Sequence, residues 1–338
     1  MTRVLVTGGT GFVAGWCIEQ LLDAGHEVVA TIRAPEREPE VRAAVTTEAD
    51  VSSRLTFAVA DLSRDDGWDD AMTECEYVLH VASPLSVEGE DPDSVISRAR
   101  DGTLRVLAAA SRSGVARVVV TSSCAAATPH SSQLSGTVDE ECWTDDDEPG
   151  LPVYRRSKVL AERAVWDYVA SGTRGFELTT VLPSAVFGPP QSAATLGSLQ
   201  MIAALLNGSA IAIPRLGLEV VDVRDVAAAQ VLAMTTPAAA GERFIASGDV
   251  LWYSEVAEIL RTHLGADASR VPSETLTDAD FRAFAEVSPQ LLTLLPLLGR
   301  ELRHSAAKAR RVLGWRPRPA VDTIVDSARS LISLGAIG

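Results

Sequence analysis

Tyr154 and Lys158 stand four residues apart at the start of a helix-like run, and their types and spacing suggest chemistry directly. Residues at i and i+4 lie on one face of a helix, one turn apart, so the ammonium group can sit beside the phenol. A neighbouring cation favours the phenolate form, which suits a tyrosine to general acid–base work. Because Tyr-x-x-x-Lys also arises by chance on surface helices, the pair needs a supporting context.

A glycine-rich turn near the N-terminus supplies the first part of that context. The β-branched run 3–7 leads into Gly8-Gly9-Thr10-Gly11-Phe12-Val13-Ala14, after which apolar residues recur at helical spacing. A strand, a glycine-rich turn and a helix are the expected opening of a dinucleotide-binding βαβ unit. Gly8 permits the tight turn, and Gly11 lets the backbone approach a pyrophosphate at the helix N-terminus.

The end of the second predicted strand indicates which dinucleotide fits. A site for NAD places Asp or Glu about 20 residues after the glycines, where it holds the ribose 2′-hydroxyl. Here Ile32 occupies that position and Arg33 follows it. An apolar residue and then a cation favour a 2′-phosphate, and therefore NADP.

Further apolar runs end at residues that could do chemistry. The runs 55–60, 77–82, 115–121 and 178–182 end at Asp61-Leu62, Ser83-Pro84, Ser122-Ser123 and Pro183. In open α/β sheets, ligands bind beyond the carboxyl ends of the strands. With helices between the runs, the pattern predicts an α/β fold with a doubly wound parallel sheet of the Rossmann type.

The regular alternation breaks up after about residue 187, which predicts a smaller mixed α/β C-terminal lobe that binds substrate. We assign residues 1–186 to the dinucleotide-binding domain, with 221–250 returning to it. Residues 187–220 and 251–315 form the predicted lobe, and 316–338 the C-terminal helix.

Composition argues against several classes of partner. The chain has 338 residues and a net charge of −15, so it lacks the basic footprint that nucleic acid or an anionic membrane surface requires. The four cysteines show no Cys-x-x-Cys spacing, which suggests neither a disulfide framework nor a zinc site. The acidic run 145–148 is typical of a solvent-exposed loop rather than of a metal site. With no signal peptide and no apolar tract long enough to span a bilayer, we expect a cytoplasmic location.

Taken together, these motifs resemble the extended short-chain dehydrogenase/reductase family, in its dihydroflavonol-reductase-like and aldehyde- or methylglyoxal-reductase-like branch. The likeness spans essentially the whole chain, with the motifs in the family's order. They are TGGTGFVA at 7–14, Arg33, Asp61-Leu62, HVASP at 80–84, TSS at 121–123, DEECWTD at 139–145, YRRSKVLAERAVW at 154–166, LPSAVFGP at 182–189 and VDVRDVA at 221–227.

By position, the resemblance implies that Ser123, Tyr154 and Lys158 are catalytic. Ser123 matches the last serine of the family's cluster and would hydrogen-bond the substrate carbonyl oxygen. Tyr154 would donate the proton, and Lys158 would bind the nicotinamide ribose hydroxyls. The implied reaction is reversible hydride transfer between NADPH and a carbonyl group, with NADP+ as the oxidised form.

The resemblance also implies which residues contact cofactor and substrate. The cofactor contacts are Gly8, Thr10, Gly11, Phe12, Val13, Arg33, Asp61, Leu62, Val81, Ala82, Ser83, Tyr154, Lys158, Pro183, Val186 and Ser198. The substrate contacts are Pro84, Ser123, Thr128, Trp143 and Tyr154, with further walls in 281–298. Flavonoid reductases of this branch carry Asn where Thr128 stands, and the Asn-Trp-Tyr-Cys signature of cinnamoyl-CoA reductases is absent. We therefore expect a small or medium aldehyde or ketone as substrate.

Two other functions remain open. A nucleotide-sugar epimerase or dehydratase shares the fold but often carries an acid where Ile32 stands. A non-catalytic NADP-sensing regulator of the NmrA type typically lacks the Ser, Tyr and Lys set. For the assembly, we expect a monomer or a homodimer formed through helices 95–111 and 157–169.

Overall fold

The structure is a computed structural model, and it describes residues 1–45, 53–84, 90–172, 175–193, 196–292 and 294–337. The strands in these residues are β1 (Arg3–Val6), β2 (Glu27–Ile32), β3 (Leu55–Val59), β4 (Tyr77–His80), β5 (Arg117–Thr121), β6 (Ser135–Val138), β7 (Glu177–Pro183), β8 (Ala185–Phe187), β9 (Gly217–Asp222), β10 (Glu242–Ala246), β11 (Val250–Trp252) and β12 (Glu301–His304). The helices are α1 (Phe12–Asp23), α2 (Glu38–Ala44), α3 (Trp68–Ala71), α4 (Pro92–Ser113), α5 (Val153–Ala170), α6 (Leu199–Asn207), α7 (Val223–Thr235), α8 (Tyr253–Leu264), α9 (Asp278–Val287), α10 (Pro289–Leu292), α11 (Ala307–Val312) and α12 (Ala320–Ser333).

A parallel sheet forms the centre of the fold. Its strands lie in the order β3-β2-β1-β4-β5-β7-β10, and every neighbouring pair is parallel. The chain moves outward from β1 in one direction and then from β4 in the other, so a crevice opens at the carboxyl ends of these two strands. The predicted Rossmann-type doubly wound sheet is confirmed.

The two faces of this sheet are covered because side chains alternate along each strand. Val4 and Val6 of β1 pack into one hydrophobic cluster with α1, α7 and α11. Leu5, between them, points into a second cluster with α3, α4 and α5. Burial on both faces explains why the central strands read as unbroken apolar runs.

Helices α4 and α5 pack against each other along the second face of the sheet. They contain the two segments through which we predict a homodimer, so one protomer already presents both of them side by side. The dimer stays a prediction. None of the helices in the described part of the chain is long and apolar enough to cross a membrane.

A second hydrophobic core lies outside the central sheet. It combines α6, α8, α9 and α12 with a three-stranded sheet in the order β11-β9-β8. In this sheet β8 and β9 are parallel, whereas β9 and β11 are antiparallel. The packing therefore places the C-terminal helix α12 with this lobe, while Ala306, Ala309, Leu313 and Trp315 pack into the core of the central sheet.

A two-stranded parallel sheet joins the lobe to the rest of the chain. Strand β12 pairs with β6, from Glu301 opposite Ser135 to His304 opposite Val138. Since β6 lies in the polar segment between β5 and α5, this pairing holds that segment against the C-terminal part of the chain.

Candidate active site

The glycine-rich turn lies at the carboxyl end of β1 and leads directly into α1. Gly8 has φ +72°, and a Cβ built on it would stand 3.0 Å from Ala82 Cβ, so both its conformation and its close packing require glycine. Gly11 caps α1 without a side-chain hydrogen bond, and the first turn carries no acidic residue. The N–H groups of Phe12 and Val13 consequently have no partners within the helix and form a site that favours anions.

Thr7 and His80 fix the relative position of the turn and the end of β4. Thr7 Oγ1 accepts hydrogen bonds from the N–H groups of Val81 and Ala82, both at 3.0 Å. With its lone pairs used in this way, Thr7 donates its hydroxyl hydrogen to His80 Nδ1 at 2.9 Å. Nε2–H of His80 then faces Thr103 Oγ1 at 3.3 Å. His80 is thus neutral: burial, and next the charge of Lys158, lowers the pKa of His80 to about 3.

Lys158 connects α5 to the segment after β4. Its Nζ donates a hydrogen bond of 2.9 Å to Ser83 Oγ and lies 5.7 Å from the centroid of the Tyr154 ring. Tyr154 is the second residue of α5, and it is 51% exposed. The structure therefore brings Tyr154, Lys158 and Ser83 together at the carboxyl edge of the sheet, with the phenol open to the crevice.

The two serines after β5 have different environments. Ser122 is buried and donates a 2.6 Å hydrogen bond to Glu162 Oε2. Ser123 is half-buried, and its Oγ accepts the N–H of Ala125 at 3.1 Å. The Ser123 hydroxyl hydrogen has no acceptor among the described residues, so Ser123 is the serine that can donate to a ligand.

Arg33 follows β2 at the surface, near the end of β3. It is exposed and forms no hydrogen bond or ion pair with the residues that the structure describes. Asp61 lies close enough for the two charges to interact. The pKa of Asp61 is lowered first by hydrogen bonds from Ser63 and then by the charges of Arg33 and Arg64.

Sequence reasoning missed Arg37, which lies four residues after Arg33 in the chain. Its Nε and Nη2 donate to Glu40 at 2.6 and 3.0 Å, and this contact lowers the pKa of Glu40. Glu40 also lines the cavity above the glycine-rich turn, together with Thr10 and Gln191. The available signal was a second arginine four residues after Arg33, in a polar stretch.

The remaining predicted cofactor contacts lie in or next to four elements, β3, β7, β8 and α6. Leu62 follows β3 and contacts Gly102 of α4, Pro183 ends β7, and Val186 lies in β8. Ser198 precedes α6 without capping it. Beside Pro183, the hydroxyl of Ser184 is buried with no hydrogen-bond partner among the described residues.

The predicted substrate contacts do not all share one environment. Pro84 is half-buried and immediately precedes residues 85–89, which lie outside the described part of the chain. Thr128 is buried: its hydroxyl donates to Cys124 O at 2.6 Å and faces His304 Nε2 at 3.1 Å. Trp143 is stacked against arginine, with the guanidinium of Arg243 3.7 Å from its ring centroid. Trp143 is half-buried, and its relation to a substrate stays a prediction.

The stretch 281–298 belongs to the second core at both ends. Phe281 and Leu298 are buried, whereas Phe284, Val287 and Leu292 between them are exposed. Their relation to a substrate stays a prediction.

The family model for the NAD dependent epimerase/dehydratase family matches residues 4–246. The chain belongs to this family, which is the extended short-chain dehydrogenase/reductase group that its motifs resemble. The predicted family is confirmed.

Named relatives are similar over most of the chain. Cinnamoyl-CoA reductase 2 of Arabidopsis thaliana is 35% identical over 260 residues, which cover 76% of this chain and 76% of that protein. The ketoreductase azaE of Aspergillus niger is 32% identical over 297 residues, covering 82% of this chain and 86% of its own. Among solved structures, yeast methylglyoxal/isovaleraldehyde reductase Gre2 complexed with NADPH superposes with a TM-score of 0.82 at 24% identity, with 100% of each chain covered.

Proposed function

We propose that this chain is an NADPH-dependent carbonyl reductase that reduces a small or medium aldehyde or ketone to the alcohol, reversibly, through Ser123, Tyr154 and Lys158. The observation that carries the proposal is the placement of Lys158, with its ammonium 2.9 Å from Ser83 Oγ and 5.7 Å from the Tyr154 ring centroid. The ammonium lies on the same edge of the sheet as the glycine-rich turn. The reductase names of the relatives agree with this class of reaction.

The residues present fit a dinucleotide phosphate. Gly8 leaves room at the turn, the N-terminus of α1 offers free N–H groups, and Arg33 is a cation without a partner in the described chain. We assign Thr10, Gly11, Phe12 and Val13 to the pyrophosphate. The other proposed contacts are Arg33 at the 2′-phosphate, Asp61 and Leu62 at the adenine, Val81, Ala82 and Ser83 at the ribose side, and Pro183, Val186 and Ser198 at the nicotinamide end.

NADPH, when bound, supplies the hydride, and the protein supplies position and charge. Ser123 donates its free hydroxyl hydrogen to the substrate carbonyl oxygen and so stabilises the negative charge that develops there. Tyr154 gives that oxygen its proton. Lys158, whose ammonium lies 5.7 Å from the centroid of the Tyr154 ring, would bind the nicotinamide ribose hydroxyls.

The alternative functions of this fold make different demands on the site. An epimerase or dehydratase would retain its nicotinamide through a full cycle, whereas a reductase must exchange NADP+ for NADPH at each turnover. A regulator would bind the dinucleotide and turn over no substrate. Ile32 followed by Arg33, which has no partner among the described residues, favours the exchanging NADP enzyme.

The test is a spectrophotometric screen of aldehydes, diketones, ketoesters and sugar nucleotides with NADPH and with NADH, run on the parent and on Tyr154→Phe. We expect the parent to oxidise NADPH with a carbonyl compound. In Tyr154→Phe, turnover should fall by about two to four orders of magnitude because the proton donor is gone, while the affinity for NADPH stays close to the parent's. Equal turnover in the two proteins would remove Tyr154 from the proposed chemistry.

A further inference from the structure

Glu162 is a buried carboxylate that lies one helical turn beyond Lys158 in α5. It is 2% exposed, and both of its oxygens accept hydrogen bonds, all but one of them from donors outside α5. The donors to Oε1 are Thr180 Oγ1 at 2.9 Å, Arg243 Nε at 2.8 Å and Trp166 Nε1 at 3.4 Å, and the donors to Oε2 are Ser122 Oγ at 2.6 Å and Arg243 Nη2 at 3.2 Å. The proposed reaction uses none of these contacts.

These hydrogen bonds join the helix of the proposed catalytic pair to the strands behind it. Glu162 is on α5 with Tyr154 and Lys158, whereas Ser122, Thr180 and Arg243 belong to the end of β5, to β7 and to β10. Ser122 is the neighbour of Ser123 in the chain. Within the described residues, Glu162 is therefore the side chain that links the helix carrying Tyr154 to the residue beside Ser123.

Arg243 extends the same connection to the loop before α5. Its Nη1 donates to the carbonyl oxygens of Glu140 and Cys142 at 2.5 and 3.1 Å, and its guanidinium lies over the ring of Trp143. A buried ion pair costs desolvation energy and is tolerated only when its hydrogen bonds are satisfied. Here every strong donor has an acceptor, so the carboxylate has a single well-defined position.

We propose that Glu162, held by Arg243, is a positioning residue: it sets the distance and angle between Ser123 and Tyr154 through its hydrogen bond to Ser122. The inference rests on the proposed function, because it concerns the alignment of two of the proposed catalytic groups. Tyr154 and Lys158 keep their mutual spacing through the backbone of α5 alone. Ser123 comes from a different element, so its alignment with them depends on a contact between elements.

Two variants separate this role from general stability. Ser122→Ala removes only the hydrogen bond next to Ser123 and leaves the pair of Glu162 and Arg243 intact. Glu162→Gln removes the charge and leaves the Arg243 guanidinium without its carboxylate. Misplacement of a reacting group by about 1 Å can lower the rate about a hundredfold. We therefore expect kcat to fall about tenfold in Ser122→Ala and about a hundredfold in Glu162→Gln. The KM for NADPH should stay within about twofold of the parent's in both variants.

Glu177→Gln is the matched control. Glu177 accepts hydrogen bonds from Arg117 at 3.0 and 2.5 Å, and Arg117 is a buried arginine that also donates to backbone carbonyls. The two residues pair across β5 and β7 at the other end of the sheet from Ser123. This variant therefore also uncouples a buried arginine, but it should keep the parental kcat.

The decisive measurement combines each variant with Ser123→Ala. If Glu162 acts through Ser123, adding Ser122→Ala or Glu162→Gln to Ser123→Ala should lower kcat by less than about twofold, because interacting residues are not additive. Full additivity, or parental kcat in both single variants, would overturn the positioning role while the proposed function stands.

Parental turnover in Ser123→Ala, or no carbonyl reduction by the parent, would overturn the proposed function, and the positioning role with it. If Glu162→Gln does not fold, Ser122→Ala decides the question alone.

Discussion

Lys158 Nζ donates a hydrogen bond of 2.9 Å to Ser83 Oγ, and this contact ties helix α5 to the carboxyl end of β4. Ser83 lies three residues after His80, whose neutral ring is held between Thr7 and Thr103. The segment after β4 is thus bonded to the glycine-rich turn through Thr7 and, at the next residue, to the lysine of the Tyr/Lys pair through Ser83. We infer that Ser83 orients the ammonium rather than only lining the cofactor site.

Ser83→Ala tests this orientation. The variant deletes the hydroxyl that accepts the hydrogen bond from Lys158. The ammonium group is then no longer held in one position beside the Tyr154 ring and the proposed ribose site. A hydrogen bond to a charged group contributes about 1.5–3 kcal/mol, and we expect kcat/KM to fall at least about tenfold. The control is Ser113→Ala, which removes a serine hydroxyl that bonds only a helix carbonyl of α4. A kcat/KM equal to the parent's in Ser83→Ala would contradict the orienting role.

Arg33→Ala should shift the cofactor preference towards NADH. The Arg33 guanidinium, which has no partner in the described part of the chain, is the proposed partner of the 2′-phosphate. Loss of such a charge-assisted contact costs about 1.5–3 kcal/mol. The ratio of kcat/KM with NADPH to that with NADH should therefore fall by about ten- to a hundredfold. The control is Arg112→Ala. It removes an exposed arginine at the end of α4 that pairs with Asp69 of α3, and it should leave the ratio unchanged. No change in Arg33→Ala would mean that the 2′-phosphate is bound elsewhere.

Glu40→Gln should tighten the binding of NADPH. In the structure Glu40 holds Arg37 through two hydrogen bonds, and its negative charge lines the cavity above the glycine-rich turn. Neutralising it releases Arg37 and removes a charge that repels phosphate, so the Kd for NADPH should fall by a few-fold, roughly the effect of one exposed ion pair. The Kd for NADH, which has no 2′-phosphate, should change less.

Glu38→Gln is the control for this prediction. It removes the same charge from the same helix but leaves Arg37 with Glu40, because Glu38 pairs with Arg42. Equal changes in Kd for the two variants would show that net charge, and not the release of Arg37, is responsible.

The parts of the fold that could be predicted from the sequence are those with a local pattern. The turn at 7–14 combines required glycines with a strand and a helix on either side, and each central strand is an apolar run long enough to be buried on both faces. These features place Thr10, Ser123 and Tyr154 near the carboxyl edge of the sheet once its order is known. The site follows from the sequence to that extent.

The contacts that orient these residues have no local signal. Glu162 and Arg243 are 81 positions apart, and Thr7 and His80 are 73 apart, so neither spacing marks a pair. Strand β6 is mostly exposed and polar, and β12 alternates exposed and buried residues over only four positions, so their pairing is not evident from the sequence. Trp143 was predicted at the substrate because of its motif, and only the structure gives it the stacked guanidinium of Arg243.

His80 should make stability fall at acid pH. Burial lowers the pKa of His80 from 6.5 to about 3, so between these values the unfolded chain binds a proton that the folded chain does not. The contribution of His80 to the free energy of unfolding is therefore fully present well above pH 6.5. It is lost as the pH falls towards 3, by at most 1.36 kcal/mol per pH unit. From pH 7 to pH 5 the contribution of His80 amounts to about 2 kcal/mol.

Urea unfolding of the parent and of His80→Asn, which retains an acceptor for the Thr7 hydroxyl, measures this contribution. Between pH 7 and pH 5 the free energy of unfolding should fall more in the parent than in His80→Asn. His263→Asn, which replaces an exposed histidine of α8, should follow the parent. If His80→Asn loses as much stability as the parent over this range, the buried ring is not the source of the acid sensitivity.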